Sequence, residues 1–102
     1  MFNSAPFAKR HSKRHWLTII YEILICCNGK PVRAPIIYRR ANLGYSLFKK
    51  LVDGLVSCGF LSEMNVNGKV AYRTSQRGLD FVKKYSDVES LVRPLEVFLG
   101  DL

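Results

Sequence analysis

Acidic side chains are almost missing from the first half of this chain. Among residues 1–50 only Glu22 is acidic, against ten lysines and arginines. Residues 51–102 carry six basic and seven acidic side chains, so the formal net charge of +8 sits almost wholly at one end. A one-sided positive field points to a polyanionic partner, either nucleic acid or an anionic membrane. Long apolar runs are missing too. The most apolar stretch, Trp16 to Cys27, is broken by Thr18, Tyr21 and Glu22. It falls short of the roughly 18 continuous apolar residues of a membrane span, and no small-residue cleavage pattern follows it, which argues against a signal peptide.

Cysteine is scarce and badly placed for chemistry. Cys26 and Cys27 are adjacent, Cys58 is distant, the number is odd, and no Cys-x-x-Cys pair exists. That spacing suits neither zinc nor a disulfide framework and leaves buried thiols in a reducing compartment as the expectation. His11 and His15 lie in or beside a basic segment and lack a carboxylate or cysteine at useful spacing. A glycine-rich phosphate loop is absent: each of the seven glycines falls at a turn, a cap or a helix position. Catalysis, metal binding and cofactor binding therefore have no residues to work with. A non-enzymatic cytoplasmic protein is expected.

At 102 residues, 48% of them hydrophobic, the chain suits one domain with one modest core. So small a domain gains from a partner surface. Residues 1–12 read as a flexible basic arm, polar, interrupted by Pro6 and without apolar period. Ser12 is placed to cap a first helix, in which Trp16, Ile19, Ile20, Ile23, Leu24 and Cys27 form one stripe. Asn28-Gly29 stops it. A short second helix starts near Pro35, with Ile36, Ile37 and Ala41 turned inward. Asn42-Leu43-Gly44 makes a tight turn, and a third helix runs from Tyr45 to about Cys58 on the stripe Phe48, Leu51, Val52 and Leu55. Gly54 inside it costs about 1 kcal/mol relative to alanine. Close packing is the one reason the pattern offers for it.

Asn67-Gly68 is the strongest two-residue hairpin signal. Counting outward pairs Val66 with Lys69, Met64 with Ala71 and Ser62 with Arg73, while Leu61, Val70, Tyr72 and Thr74 share the face that joins the core. A last helix begins at Ser75 or Gln76 and reaches at least Val92. The order is helix, helix, helix, hairpin, helix: a mainly helical α+β domain of winged helix-turn-helix type over residues 13–78, with a C-terminal helix over 79–102.

Three stretches carry a family resemblance: Ala41-Asn42-Leu43-Gly44-Tyr45, Cys58-Gly59-Phe60-Leu61 and Tyr72-Arg73-Thr74-Ser75-Gln76-Arg77-Gly78. With the Ile/Leu-rich first helix they resemble the small archaeal winged-helix proteins, which include abundant chromatin-type DNA-binding proteins and transcriptional regulators. The resemblance spans about residues 13–92 and implies DNA binding through the third helix and the wing. It also implies dimerisation through a long C-terminal helix. Gly44 stands where the family leads one to expect serine, and Arg33-Ala34 where a threonine cap is expected. Pro94 interrupts the last helix pattern.

On this frame the candidate DNA contacts are Tyr45, Ser46, Lys49 and Lys50 on the recognition helix, Arg39 and Arg40 at the end of the second helix, Lys69 and Arg73 on the wing, and Lys9, Arg10, Lys13 and Arg14 in the arm. Few of these are bidentate base readers, so backbone-dominated binding to double-stranded DNA is expected, with a nucleoid-associated location. Tyr45 has a second reading, as a ring packed over the turn. Phe81, Tyr85, Val88, Val92, Leu95, Leu99 and Leu102 alternate at spacings of four and three, the seam of a two-helix homodimer. Asp87, Glu89, Glu96 and Asp101 keep that end away from DNA. The alternative function is a protein-interaction module in a transcription-related assembly, for which an acidic or apolar outer face on the third helix would be the mark. RNA binding ranks lower because no aromatic sheet platform is evident.

Overall fold

The computed structural model describes residues 15–100, which form α1 (Trp16–Cys26), β1 (Val32–Arg33), α2 (Ala34–Arg40), α3 (Tyr45–Ser57), β2 (Leu61–Val66), β3 (Lys69–Thr74) and α4 (Gln76–Leu99). The strands make one antiparallel sheet in the order β1-β3-β2. The mainly helical α+β winged architecture is the one the sequence pattern predicts.

His15 starts α1, its Nδ1 accepting from the Leu17 N–H at 3.1 Å. Ser12, the cap expected from the sequence, lies outside the described residues. Ile19, Ile23, Leu24 and Cys27 form the buried stripe, but Trp16 is 58% exposed. It occupies the first position of the helix and its ring stacks on His15, 5.7 Å between centroids. At the other end the last carbonyls of a helix need partners, and β3 supplies them. The Thr74 hydroxyl donates to the Leu24 carbonyl at 2.6 Å and the Thr74 N–H to that of Cys27 at 3.0 Å.

Strand β1 is absent from the sequence reading: two residues after a Gly-Lys-Pro loop carry no periodicity. It pairs Val32 with Tyr72 and Arg33 with Ala71, making β3 the central strand. Ala71, expected on the solvent face of the wing, is therefore buried, a methyl flanked by the longer cross-strand residues Arg33 and Met64. The β2–β3 register agrees with the outward count from Asn67-Gly68, whose φ values of 53° and 79° are those a type I′ turn requires. Val70, assigned to the core face, is 44% exposed because the tip of the hairpin extends beyond the core.

Helix α2 buries Ile37 and is followed by the buried Ala41, yet leaves Ile36 42% exposed, so only one of the two adjacent isoleucines faces inward. In α3, Phe48, Val52 and Leu55 are buried. Gly54 faces open space, with nothing within 4 Å of a Cβ built there, which removes close packing as its reason. Gly54→Ala is expected to raise stability by about 1 kcal/mol through helix propensity alone, read as a higher urea midpoint with unchanged slope.

Helix α4 opens on Ser75, whose hydroxyl accepts from the Gly78 N–H at 3.1 Å. It continues through Pro94 without a break. The missing N–H frees the carbonyl four residues back, that of Ser90, which lies in an exposed turn where water can serve it. From Asp87 to Gly100 every residue is exposed, and the described chain measures 49 × 27 × 21 Å. The second half of α4 thus projects from the domain by about 20 Å, at 1.5 Å per residue.

Candidate nucleic-acid interface

The helix-turn-helix is built by its turn. Ala41 donates its N–H to the Ile37 carbonyl at 2.9 Å, and Leu43 donates to that of Tyr38 at 2.8 Å. Asn42 adopts φ 56°, a left-handed conformation that asparagine tolerates better than other non-glycine residues. Gly44 is the N-cap of α3 and Arg33 that of α2, and neither provides a side-chain cap. The first N–H groups of α3 therefore have no side-chain acceptor from the cap residue, and such helix starts favour anions.

Tyr45, Ser46, Lys49 and Lys50 all lie exposed on the early turns of α3. Tyr45 meets both of its readings. Its ring packs edge-on against Tyr38 (5.9 Å) and tilts against Phe48 (6.1 Å), while 58% of it stays exposed. Lys49 is engaged with Asp53 at 3.0 Å, one turn on. Asp53 holds its amine above the ordinary lysine range, with the nearby Tyr72 adding to the effect. Burial raises the phenol of Tyr72; Lys49 works against this, and Glu63 and Asp53 add to it. Two acidic groups thus gather where α3 meets the base of the wing, so the positive surface of α3 is confined to its first turns.

Arg39 and Arg40 end α2, exposed, at the pole of the helix that favours cations. On the wing, Lys69 and Arg73 are exposed on one face, and the pairing of β1 adds Arg33 to it through Ala71. Arg33 lies in the basic half of the sequence, where no pattern places it at the site. The two-residue strand that places it was the missing signal. Arg77 serves the fold instead, donating to the Cys58 carbonyl at 3.2 Å and lying over the Phe60 ring at 5.9 Å. Lys9, Arg10, Lys13 and Arg14 lie outside the described residues, as does Leu102.

Of the expected seam residues, two are engaged within the chain. Phe81 packs edge-on against Phe60 (6.2 Å) and stacks on Tyr85 (5.7 Å). Tyr85 also meets Tyr21 (4.8 Å) and hydrogen-bonds Thr18 at 2.7 Å. Val88, Val92, Leu95 and Leu99 are exposed, beside Leu91 (78%) and Phe98 (80%), which the seam pattern omits. On a helical wheel these six fall within one arc of roughly 120°, given 100° per residue.

Cys27 is buried and its thiol is pushed up to about 12, by burial first and by Cys26 beside it, which keeps it protonated and inert. Cys26 is half-buried and Cys58 exposed, so the expectation of three buried thiols holds for Cys27 alone. Among the described residues no group of three His, Cys, Asp or Glu side chains is placed to hold a metal ion, and no helix is long and apolar enough to cross a membrane.

No curated protein matches the sequence. Among solved structures the fold is similar to that of Sso10a-2, a DNA-binding protein from Sulfolobus solfataricus, with a TM-score of 0.74 and 19% identity, covering 86% of this chain and 92% of that one. At that identity the likeness is one of fold. The sequence itself matches the model of the family described as winged helix-turn-helix over residues 13–93, and the chain belongs to that family.

Proposed function

We propose that this protein binds double-stranded DNA without catalysing a reaction, in the manner of a chromatin-type or regulatory protein. The early turns of α3 enter the major groove, and Arg39, Arg40, Arg33, Lys69 and Arg73 hold the flanking backbone. The observation that carries this is the uneven charge of the surface: on α2, α3 and the wing six exposed cations, Arg39, Arg40, Lys49, Lys50, Lys69 and Arg73, face two acids, Asp53 and Glu63, whereas along α4 the four acids Asp80, Asp87, Glu89 and Glu96 balance the four cations Arg77, Lys83, Lys84 and Arg93. The similarity in fold to a DNA-binding protein supports the same reading. The arm residues Lys9, Arg10, Lys13 and Arg14 extend the positive segment by sequence. Backbone contacts dominate because few of these side chains are suited to paired readout of a base edge.

Mobility shifts across a salt series test this. Each phosphate contact adds about 0.9 to the slope of log affinity against log salt. Lys49→Ala with Lys50→Ala is expected to weaken binding and flatten the slope by up to about 2, whereas Asp53→Asn, which releases Lys49, steepens it. An unchanged slope and affinity in the double variant would remove α3 from the interface.

The projecting half of α4 supports a homodimer in this reading. Val88, Val92, Leu95 and Leu99 leave an apolar arc that a second copy covers, with Leu91 and Phe98 at its edge. Joining two binding domains raises the effective concentration at the second DNA site. Wild type is expected to sediment as a dimer at tens of micromolar and Val92→Glu with Leu99→Glu as a monomer. A monomeric wild type at that concentration would rule the dimer out.

A further inference from the structure

Behind the wing tip lies a groove that DNA binding does not account for. It is bounded by the loop after α1, by β1, by the outer side of α2 and by the end of the hairpin, and its volume is about 720 Å³. Four cations line it, Lys30, Arg33, Arg40 and Lys69, and no acidic side chain does. Its other walls are largely apolar. Ile36 is 42% exposed there and Val66 38%, the two apolar side chains that the packing of α2 and the hairpin leaves uncovered on this side. Val32 and the half-buried Cys26 continue the same surface.

We propose that this groove binds a small organic anion with an apolar body, an aryl or acyl carboxylate, sulfonate or phosphate. A DNA backbone would satisfy the cations but brings nothing to cover Ile36 and Val66, and a concave floor is of no use to a convex duplex. Free inorganic anions leave the same apolar surface wet. A molecule with both parts satisfies both, and the volume lies within the range of roughly 300–1,000 Å³ typical of small-molecule sites. Arg33, Arg40 and Lys69 belong to the proposed DNA surface as well. Occupancy of the groove therefore competes with duplex, a consequence that rests on the function proposed above.

The test uses the full chain and 1-anilinonaphthalene-8-sulfonate, followed by its fluorescence. Saturable binding is expected, at least about tenfold tighter than that of the uncharged N-phenyl-1-naphthylamine. Lys30→Glu with Arg33→Glu, and separately Ile36→Asn, are each expected to weaken it about tenfold, with thermal melting unchanged because all three side chains are exposed. Val92→Glu with Leu99→Glu is expected to leave it intact. Absence of saturable binding, insensitivity to both groove variants, or equal competition by inorganic phosphate would overturn the proposal. So would binding lost in the α4 variant, which would place the probe on the helix, or binding that appears only in that variant, which would place the probe on a surface that the dimer covers. Probe binding is measured without DNA, and duplex binding by mobility shift without probe, so either reading can fail while the other stands. Where both hold, duplex is expected to displace the probe.

Discussion

Lys69→Glu with Arg73→Glu is expected to lower duplex affinity by at least about sixtyfold at 0.1 M salt. Two lost phosphate contacts remove about 1.8 from the salt slope, and at 0.1 M each unit of slope is worth a factor of ten. Repulsion by the new carboxylates adds to this. By the same arithmetic the loss shrinks to about fivefold at 0.4 M salt, and this convergence of wild type and variant identifies the effect as electrostatic. Both side chains are exposed on the outer face of the wing, and neither makes an ion pair among the described residues, so the melting temperature should barely move. The loss should be similar for unrelated sequences. A loss confined to one sequence would show base readout by the wing, and no loss would favour the protein-interaction reading of the fold.

Gly78→Ala is expected to destabilise the domain by about 3 kcal/mol, at the upper end of ordinary overpacking. Two effects oppose each other. Alanine in a helix is favoured over glycine by about 1 kcal/mol. Against this, a Cβ at Gly78 would run into the carbonyl oxygen of Phe60 and come within 2.6 Å of the Thr74 methyl. Neither neighbour can give easily. Phe60 contributes backbone, its carbonyl holding the Ser75 N–H at 3.1 Å, and Thr74 is fixed to the end of α1 by its hydroxyl. The clash therefore wins, and the sign is opposite to that at Gly54, where the same substitution meets open space. Thermal unfolding at matched protein concentration should show a fall of about 12–24 °C, at 4–8 °C per kcal/mol for a domain of this size. A melting temperature equal to or above that of wild type would show that α4 can shift off the sheet.

These two sites show what could be read from the sequence and what could not. The hairpin register was legible because Asn67-Gly68 fixes it locally and every pairing follows by counting. The helix-turn-helix was legible for a similar reason: a stop at Asn42-Leu43-Gly44 between two apolar stripes leaves few alternatives. Burial was less so. Periodicity identifies which side chains are apolar but not whether anything lies over them, which is why Trp16, Ile36 and Val70 are more exposed than their spacing suggests. The same limit applies to α4, where one heptad pattern runs through residues that serve two different surfaces. Phe81 turns to Phe60 and Tyr85 to α1, while Val88 and beyond turn to solvent. Strand β1 was invisible because a two-residue ladder depends on a partner some forty residues away. Arg33, and with it the cationic groove, entered only through that contact.

The bonds from Thr74 to the last turn of α1 make the wing a lever with a fixed fulcrum. Its base cannot swing without stripping the Leu24 and Cys27 carbonyls of their partners inside the core. Compliance is left to the tip, beyond the reach of β1, where Val66, Asn67, Gly68 and Lys69 are all exposed. A load placed on the tip is therefore transmitted to α1 rather than absorbed in a hinge. The shape that the wing accepts is set by a few residues of bending at its end.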